Sequence, residues 1–206
     1  MPSYKLVYFD FRGRGEIVRL CFNAAGVNFD EERIDYPPEW TEEKKAAAPF
    51  RQLPYLEIDG KKYAQSGPIA SYISREYGLY GDSAQENLFI DGVVALSVDY
   101  FDTWVRAYFF ETDPNKKVEL ETNLKNEVLP KFLGHLEKIL TNSGSGFFSG
   151  QRLTLADLAV YHTLEISYRD FPDIYANYPK VVENRKKVES LPRIKSYLSS
   201  RKVTEI

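Results

Sequence analysis

The stretch Gln52-Leu53-Pro54-Tyr55-Leu56-Glu57-Ile58-Asp59-Gly60, followed closely by Gln65-Ser66, decides the fold of the first half of the chain. Leu56 and Ile58 alternate with polar residues, which is the pattern of a strand with one buried face. Asp59-Gly60 is typical of a two-residue hairpin turn, because both residue types tolerate the positive φ that such turns require. The stretch therefore predicts a β-hairpin, and a helix is expected to open at the serine that follows it.

The start of this helix has the features of an anion-binding site. The first N–H groups of a helix lack intrahelical partners and lie at the positive end of its dipole. Gln65 and Ser66 would add side-chain donors, and Ser66 is also expected to cap the helix. Pro54 enters the strand from outside, so the backbone before it can pair with an extended peptide. These residues predict a pocket for a small acidic peptide, although an ordinary hairpin with a capped helix fits them as well.

The residues before this stretch add two strands and a helix. Tyr4–Phe9 is an aromatic and β-branched run that predicts a strand, and Phe29–Ile34 predicts another. Between them, Glu16–Ala25 carries apolar residues at helical spacing and ends at a glycine. Residues 36–49 are expected to be irregular. The predicted order is therefore β-α-β followed by β-β-α.

The pattern changes near residue 80, after which strand signals disappear. We therefore expect two domains, residues 1–79 and residues 84–206, the second of them all-helical. Thr154 and Asp157 have the spacing of a capping box at the start of one of its helices. The stretches with helical periodicity are Glu86–Phe110, Asn115–Leu140, Thr154–Tyr168, Val181–Ser190 and Ile194–Ser200.

Composition excludes several classes of protein. The 206 residues include 43% hydrophobic residues but no apolar run near the length of a membrane span. The net charge of −3 argues against nucleic-acid binding, and the glycines near residue 13 lack the dinucleotide-binding spacing. Cys21, the single cysteine, is expected to be a buried and inert thiol. His135 and His162 provide no convincing metal set. Because the first strand starts at once, without a signal-peptide pattern, a cytoplasmic location is expected.

These motifs, in this order and at these intervals, resemble the cytosolic glutathione transferases over essentially the full length of the chain. Within that family the chain is most similar to the sigma class, which includes glutathione-dependent prostaglandin D synthases and invertebrate enzymes. The resemblance implies a thioredoxin-like first domain with a mixed sheet, followed by an all-helical domain that lines the electrophile site. It rests on Tyr4-Lys5-Leu6, Tyr8-Phe9, Arg12-Gly13-Arg14, Glu16, Trp40, Lys44, Pro49-Phe50, Gln52-Leu53-Pro54, Gln65-Ser66, Thr154-Leu155-Ala156-Asp157 and Pro192-Arg193-Ile194.

The activity of this family requires activation of a thiol, and the resemblance assigns this task to a tyrosine at the end of the first strand. Glutathione is the co-substrate, its free thiol has a pKa of about 8.5, and no metal is expected. A hydrogen-bond donor aimed at sulfur stabilises the thiolate, a role that the resemblance gives to Tyr8. Arg14 would add positive potential. The thiolate would then attack small hydrophobic electrophiles, as in detoxification.

The resemblance also assigns the rest of the site. Gln65 and Ser66 would hold the γ-glutamyl carboxylate, and the backbone of Leu53, fixed by Pro54, would pair with the cysteinyl unit. Asp99, with Asp91 and Asp102 as competing positions, would reach the γ-glutamyl ammonium of glutathione bound by the other subunit. The glycyl end would meet Trp40, Lys44 and Gln52, and the electrophile would meet Phe9, Arg14, Trp104, Tyr108 and Phe110.

The resemblance further implies a homodimer, in which Phe50 would anchor the neighbouring subunit. Arg51 is bulkier than the glycine commonly found at its position. Three alternatives to a general transferase stay open. They are a glutathione-dependent isomerase that converts prostaglandin H2 to D2, a structural crystallin, and a carrier of haem or other apolar ligands.

Overall fold

A computed structural model describes residues 2–204, which divide into two units. The first unit combines the chain up to Leu79 with the segment that starts at Leu191, and the second unit is Tyr80–Ser190. The first unit contains β1 (Tyr4–Phe9), α1 (Glu16–Ala25), β2 (Asp30–Ile34), α2 (Glu42–Ala47), β3 (Tyr55–Ile58), β4 (Lys61–Ala64), α3 (Ser66–Glu76) and the last helix.

The four strands form one mixed sheet in the order β2-β1-β3-β4. β1 runs parallel to β2 and antiparallel to β3, which in turn is antiparallel to β4. Parallel neighbours need a crossover connection, and α1 supplies it. The sheet and helix order agree with the predicted mixed-sheet domain.

The predicted hairpin is confirmed in detail. Ile58 pairs with Lys61, and the two residues between them, Asp59 and Gly60, have φ of 49° and 83°. Both central residues of this turn type need positive φ, which explains the Asp-Gly pair. The Leu53–Pro54 peptide bond before the hairpin is cis.

The prediction that residues 36–49 are irregular was wrong in part, because they include α2. The Thr41 hydroxyl accepts a hydrogen bond from the Lys44 N–H at 3.3 Å, and Glu42 and Glu43 occupy the first turn, where the helix dipole favours acidic side chains. None of the six helical residues is buried. Since no apolar face exists, periodicity could not reveal this helix.

The core of the first unit lies between the sheet and the packed helices α1 and α3. Leu20, Phe22 and Ile73 are completely buried there. Cys21 is buried as predicted, and burial raises the pKa of its thiol to about 12, so it is inert at neutral pH.

The second unit is helical. Its elements are α4 (Ala84–Val105) with a π-helical continuation (Arg106–Phe110), α5 (Pro114–Asn123), a π-helical turn (Leu124–Val128), α6 (Leu129–Ser143), α7 (Leu155–Asp170), a 3₁₀ segment (Pro172–Asn177) and α8 (Pro179–Ser190). The helices α4 and α7 pack against each other.

The predicted capping box opens α7. The buried Asp157 carboxylate accepts hydrogen bonds from the N–H and hydroxyl of Thr154, both at 2.9 Å. It also accepts from the Phe148 N–H at 3.0 Å and from Asn184 at 2.9 Å. One carboxylate thus ties the start of α7 to the loop before it and to α8.

The last helix, α9 (Pro192–Ser200), belongs by its contacts to the first unit. It packs on α1, and the Arg193 guanidinium donates to the Ala24 and Ala25 carbonyls at 3.3 and 2.9 Å, where α1 ends. The predicted second domain, residues 84–206, included this helix. Within the described part of the chain, no helix is both long and apolar enough to cross a membrane.

Candidate active site

A cavity of about 420 Å³ in the first unit collects most of the predicted site residues. Its wall is formed by the end of β1, the segment before α2, the turn that leads into β3, and the start of α3. Lys44 does not line this cavity, and its ammonium lies 3.8 Å from Glu39. The lining residues are Phe9, Arg14, Trp40, Arg51, Gln52, Leu53, Pro54, Gln65 and Ser66.

Tyr8 lies beside this wall on β1 and is only 5% exposed. Its hydroxyl oxygen accepts a hydrogen bond of 2.9 Å from the backbone N–H of Arg14, whose residue lines the cavity. A Cβ at Gly13 would come within 2.6 Å of this oxygen, and a Cβ at Gly15 within 2.5 Å of the ring. The two glycines therefore permit the close approach of the loop to the phenol.

The phenol of Tyr8 is neutral at physiological pH. Burial raises its pKa to about 12, although the Arg14 N–H and the charges of Arg14 and Arg19 act in the opposite direction. Because the oxygen accepts from Arg14, the hydroxyl proton remains to be donated to another atom. The neutral phenol of Tyr8 is therefore able to donate one hydrogen bond.

The loop between Tyr8 and Arg14 is held by a buried arginine. The Arg19 guanidinium, 1% exposed, donates to the carbonyls of Phe11 at 2.9 Å, Arg12 at 3.2 Å and Phe9 at 3.4 Å. Its charge is balanced by two glutamates, Glu31 at 2.5 Å and the buried Glu16 at 3.2 Å.

Glu16 in turn is bound by the C-terminal segment of the first unit. The Tyr197 hydroxyl donates to it at 3.0 Å, and Arg201 forms an ion pair with it at 2.6 Å. The sequence patterns did not predict this network. Its only signal was a pair of charged residues, Glu16 and Arg19, on a helix that is otherwise apolar toward the core.

The start of α3 differs from the prediction in one respect. The residue at the cap position is Gln65, with φ of 77°, and no side chain caps the helix there. Ser66 is the first helical residue, so its predicted role as a cap was wrong. Both residues line the cavity, and the Gln65 amide donates to the Gln52 side-chain oxygen at 3.0 Å.

Phe9 and Trp40 meet inside an aromatic cluster of the first unit. Their ring centroids are 5.7 Å apart in an edge-to-face arrangement. Phe9 also stacks on Phe11 at 5.4 Å and contacts Tyr36 at 5.0 Å. The cluster holds the indole of Trp40 against the cavity wall.

The other predicted electrophile residues and the candidate acids lie on α4 and its continuation in the second unit. Trp104 is buried and stacks on Tyr108 at 5.1 Å, whereas Phe110 is 68% exposed. Asp99 is exposed, and the Asp91 carboxylate accepts a hydrogen bond from Tyr80. Within residues 2–204, no group of three or more acidic, histidine or cysteine side chains could hold a metal ion.

Comparison with known proteins gives the family. Residues 4–75 match the family model described as "Glutathione S-transferase, N-terminal domain", and residues 98–201 match "Glutathione S-transferase, C-terminal domain". The chain is 37% identical to "Probable glutathione S-transferase 5" of Caenorhabditis elegans, with 99% of each chain covered.

Solved structures agree. A prostaglandin synthase D of Nilaparvata lugens is 32% identical with a TM-score of 0.90, covering 98% of this chain and 100% of that one. A monomeric glutathione S-transferase, Na-GST-3 of the hookworm Necator americanus, is 33% identical with a TM-score of 0.87, covering 99% and 100%. Since both halves match the family models and the similarity extends over the full length, the chain belongs to the glutathione S-transferase family.

Proposed function

We propose that this glutathione transferase activates the thiol of glutathione through Tyr8 and transfers the thiolate to small hydrophobic electrophiles. The observation that carries the proposal is the neutral Tyr8 hydroxyl, which accepts from the Arg14 N–H beside the cavity and keeps its own proton for donation. A sulfur atom placed next to this hydroxyl would receive the hydrogen bond.

The donated hydrogen bond favours the thiolate over the thiol. A hydrogen bond to a charged group contributes about 1.5–3 kcal/mol, and one pKa unit corresponds to about 1.4 kcal/mol. The bound thiol would therefore titrate about 1–2 units below its free pKa of about 8.5. The positive potential of Arg14 acts in the same direction. The thiolate then attacks the electrophile directly, without a covalent intermediate on the protein.

We propose the remaining contacts with glutathione for residues that line the cavity. Ser66 and Gln65 lie where the unpaired N–H groups of α3 begin, which suits the γ-glutamyl carboxylate. The backbone of Leu53 can pair with the cysteinyl unit, and Pro54 fixes its direction. Trp40 and Gln52 would contact the glycyl end of glutathione. For the electrophile we propose Trp104, Tyr108 and Phe110, together with Phe9.

We also propose a homodimer of the sigma-like type in the cytoplasm. Phe50 is 75% exposed and has φ of 53°, so the backbone presents this large apolar ring to solvent at a conformational cost. Next to it lies an apolar groove of about 500 Å³, lined by Leu56, Tyr63 and Tyr72 among others. A second copy would cover this surface, and Asp99 of that copy would then reach the γ-glutamyl ammonium. A single buried thiol suits a reducing compartment.

A narrower activity, the isomerisation of prostaglandin H2 to D2, is the second candidate. It is favoured by the similarity to the structure described as a prostaglandin synthase D. The isomerase would use the same thiolate, so the glutathione site alone does not separate the two activities. Their difference lies in the residues that contact the electrophile.

One set of assays tests these proposals. Calorimetry should show glutathione binding in the micromolar to millimolar range, and ultraviolet difference spectra should show bound thiolate at neutral pH. Turnover with a chlorodinitrobenzene supports the transferase, and turnover with prostaglandin H2 alone supports the isomerase. Glutathione binding without turnover of either substrate, or of a wider electrophile panel, would contradict the catalytic proposal and favour a crystallin-like or carrier role.

A further inference from the structure

Arg51 brings a second cation into the cavity wall. Among the nine lining residues only Arg14 and Arg51 are cationic. The backbone N–H of Arg14 bonds the Tyr8 hydroxyl, which places this residue at the thiol end of the site. A tripeptide whose γ-glutamyl carboxylate lies at the start of α3 still has its glycyl carboxylate to place. Arg51 is the remaining cation that can receive it.

The position of Arg51 fits the glycyl end. Its guanidinium forms an ion pair of 2.5 Å with Glu42, which begins α2 two residues after Trp40. Arg51 also directly precedes Gln52. Arg51 thus lines the same cavity as Trp40 and Gln52, and its guanidinium lies beside the start of α2.

Lys44 does not occupy an equivalent position. Its ammonium is paired with Glu39 at 3.8 Å, and the residue does not line the cavity. Phe50 and Arg51 both have positive φ, 53° and 56°, a left-handed conformation that non-glycine residues rarely adopt. Arg51, the residue after the exposed phenylalanine, lines the cavity in this conformation.

We propose that Arg51, and not Lys44, binds the glycyl carboxylate of glutathione, by exchanging Glu42 for the ligand. This inference rests on the proposed function. The exchange is easy because the Arg51 and Glu42 side chains are 58% and 74% exposed, and exposed ion pairs are weak. Glu42 keeps a partner after the exchange, because Lys45 lies 2.7 Å from its other oxygen. A guanidinium can bind a carboxylate with two parallel hydrogen bonds, which an ammonium cannot match.

The test compares two ligands that differ only at the glycyl end. One is glutathione, and the other is glutathione amide, in which the glycyl carboxylate is a neutral carboxamide. Calorimetry measures both with the wild-type protein, Arg51→Ala, Arg51→Lys, Lys44→Ala and Glu42→Gln. Thermal melting of each unliganded variant verifies that the fold is intact, and we expect no change because the altered side chains are exposed.

Arg51→Ala should weaken glutathione binding by about fivefold, the upper end of the effect of losing an exposed ion pair. It should leave the affinity for the amide unchanged. The glutathione affinity of Arg51→Lys should lie between those of the wild type and Arg51→Ala, and that of Lys44→Ala should equal the wild-type affinity. Glu42→Gln should bind glutathione more tightly because it removes the competing carboxylate.

Three results would overturn the inference while leaving the proposed function intact. They are wild-type affinity of Arg51→Ala for glutathione, equal losses for glutathione and its amide, and a selective loss in Lys44→Ala. If the wild-type protein binds neither ligand, the proposed function and the inference both fail. The experiment therefore distinguishes failure of this inference from failure of the proposed function.

Discussion

Replacing Tyr8 by Phe removes one oxygen atom that accepts from the Arg14 N–H and that would donate to sulfur in the proposed mechanism. The ring keeps its neighbours, since Phe9 and Phe11 lie 5.3 and 5.6 Å from its centroid. The Arg14 N–H, however, loses its acceptor. An unpaired buried N–H costs about 1–3 kcal/mol, and because Arg14 is only half-buried we expect about 1 kcal/mol of lost stability.

The effect on catalysis should be larger and should depend on pH. Loss of a hydrogen bond worth about 1.5–3 kcal/mol reduces the rate about tenfold to a hundredfold and raises the pKa of the bound thiol by about 1–2 units. The donor favours the thiolate, so its loss is felt most below the lowered pKa of the wild-type complex. Above the pKa of the variant complex, both proteins carry thiolate and their rates should converge. Since the pKa of Tyr8 is raised to about 12, ionisation of Tyr8 itself should not contribute to the change of rate expected near neutral pH.

The assay is kcat/KM for a chlorodinitrobenzene across the pH range, with difference spectra of the bound thiolate. Tyr4→Phe is a matched control, because Tyr4 lies on the same strand and is buried, and its hydroxyl contacts that of Tyr77 at 2.9 Å, away from the cavity lining. It should alter stability without moving the pH profile. If Tyr8→Phe keeps its rate within about twofold and its pH profile is unchanged, Tyr8 is not the donor to sulfur.

Three further changes test other parts of the structure. Ser66→Ala should raise KM for glutathione more than it lowers kcat and should change stability by less than about 0.5 kcal/mol, because Ser66 does not cap α3; a large stability loss in thermal melts would contradict this. Asp157→Ala should cost about 3–5 kcal/mol in urea unfolding, since it leaves buried donors of four hydrogen bonds unpaired; a loss below about 1 kcal/mol would refute that reasoning. Phe50→Ala should raise the dimer dissociation constant by about thirtyfold or more in light scattering, and a wild-type protein that is a fully active monomer would refute the dimer.

The hairpin could be predicted because its signals are local. Asp59 and Gly60 carry the turn in their own backbone preferences, and the alternation around Leu56 gives the buried face. The cap of α3 could not be predicted in the same way. It depends on whether the helix begins one residue earlier or later, and Gln65, in a positive-φ conformation that glutamine rarely adopts, takes the place where a serine was expected.

Features that depend on contacts between distant segments of the chain could not be predicted from the sequence. The apolar face of α9 indicates a packed helix, but nothing in its periodicity says that it packs on α1. Likewise, the sequence does not tell whether Lys44 or Arg51 lines the cavity. The structure places Arg51 in the cavity wall and leaves Lys44 outside it.

The buried pair of Glu16 and Arg19 shows why a tyrosine alone does not make a site. A buried ion pair is weak evidence for stability, because desolvation offsets much of the Coulombic attraction. Here Arg19 donates hydrogen bonds to carbonyls of the loop that follows Tyr8, and the Glu16 carboxylate accepts a hydrogen bond from Tyr197 in the C-terminal segment. That loop ends at Arg14, whose N–H bonds the Tyr8 hydroxyl. The direction in which Tyr8 can donate its proton is therefore set jointly by β1, α1 and the C-terminal segment, three parts of the chain that are brought together only by the fold.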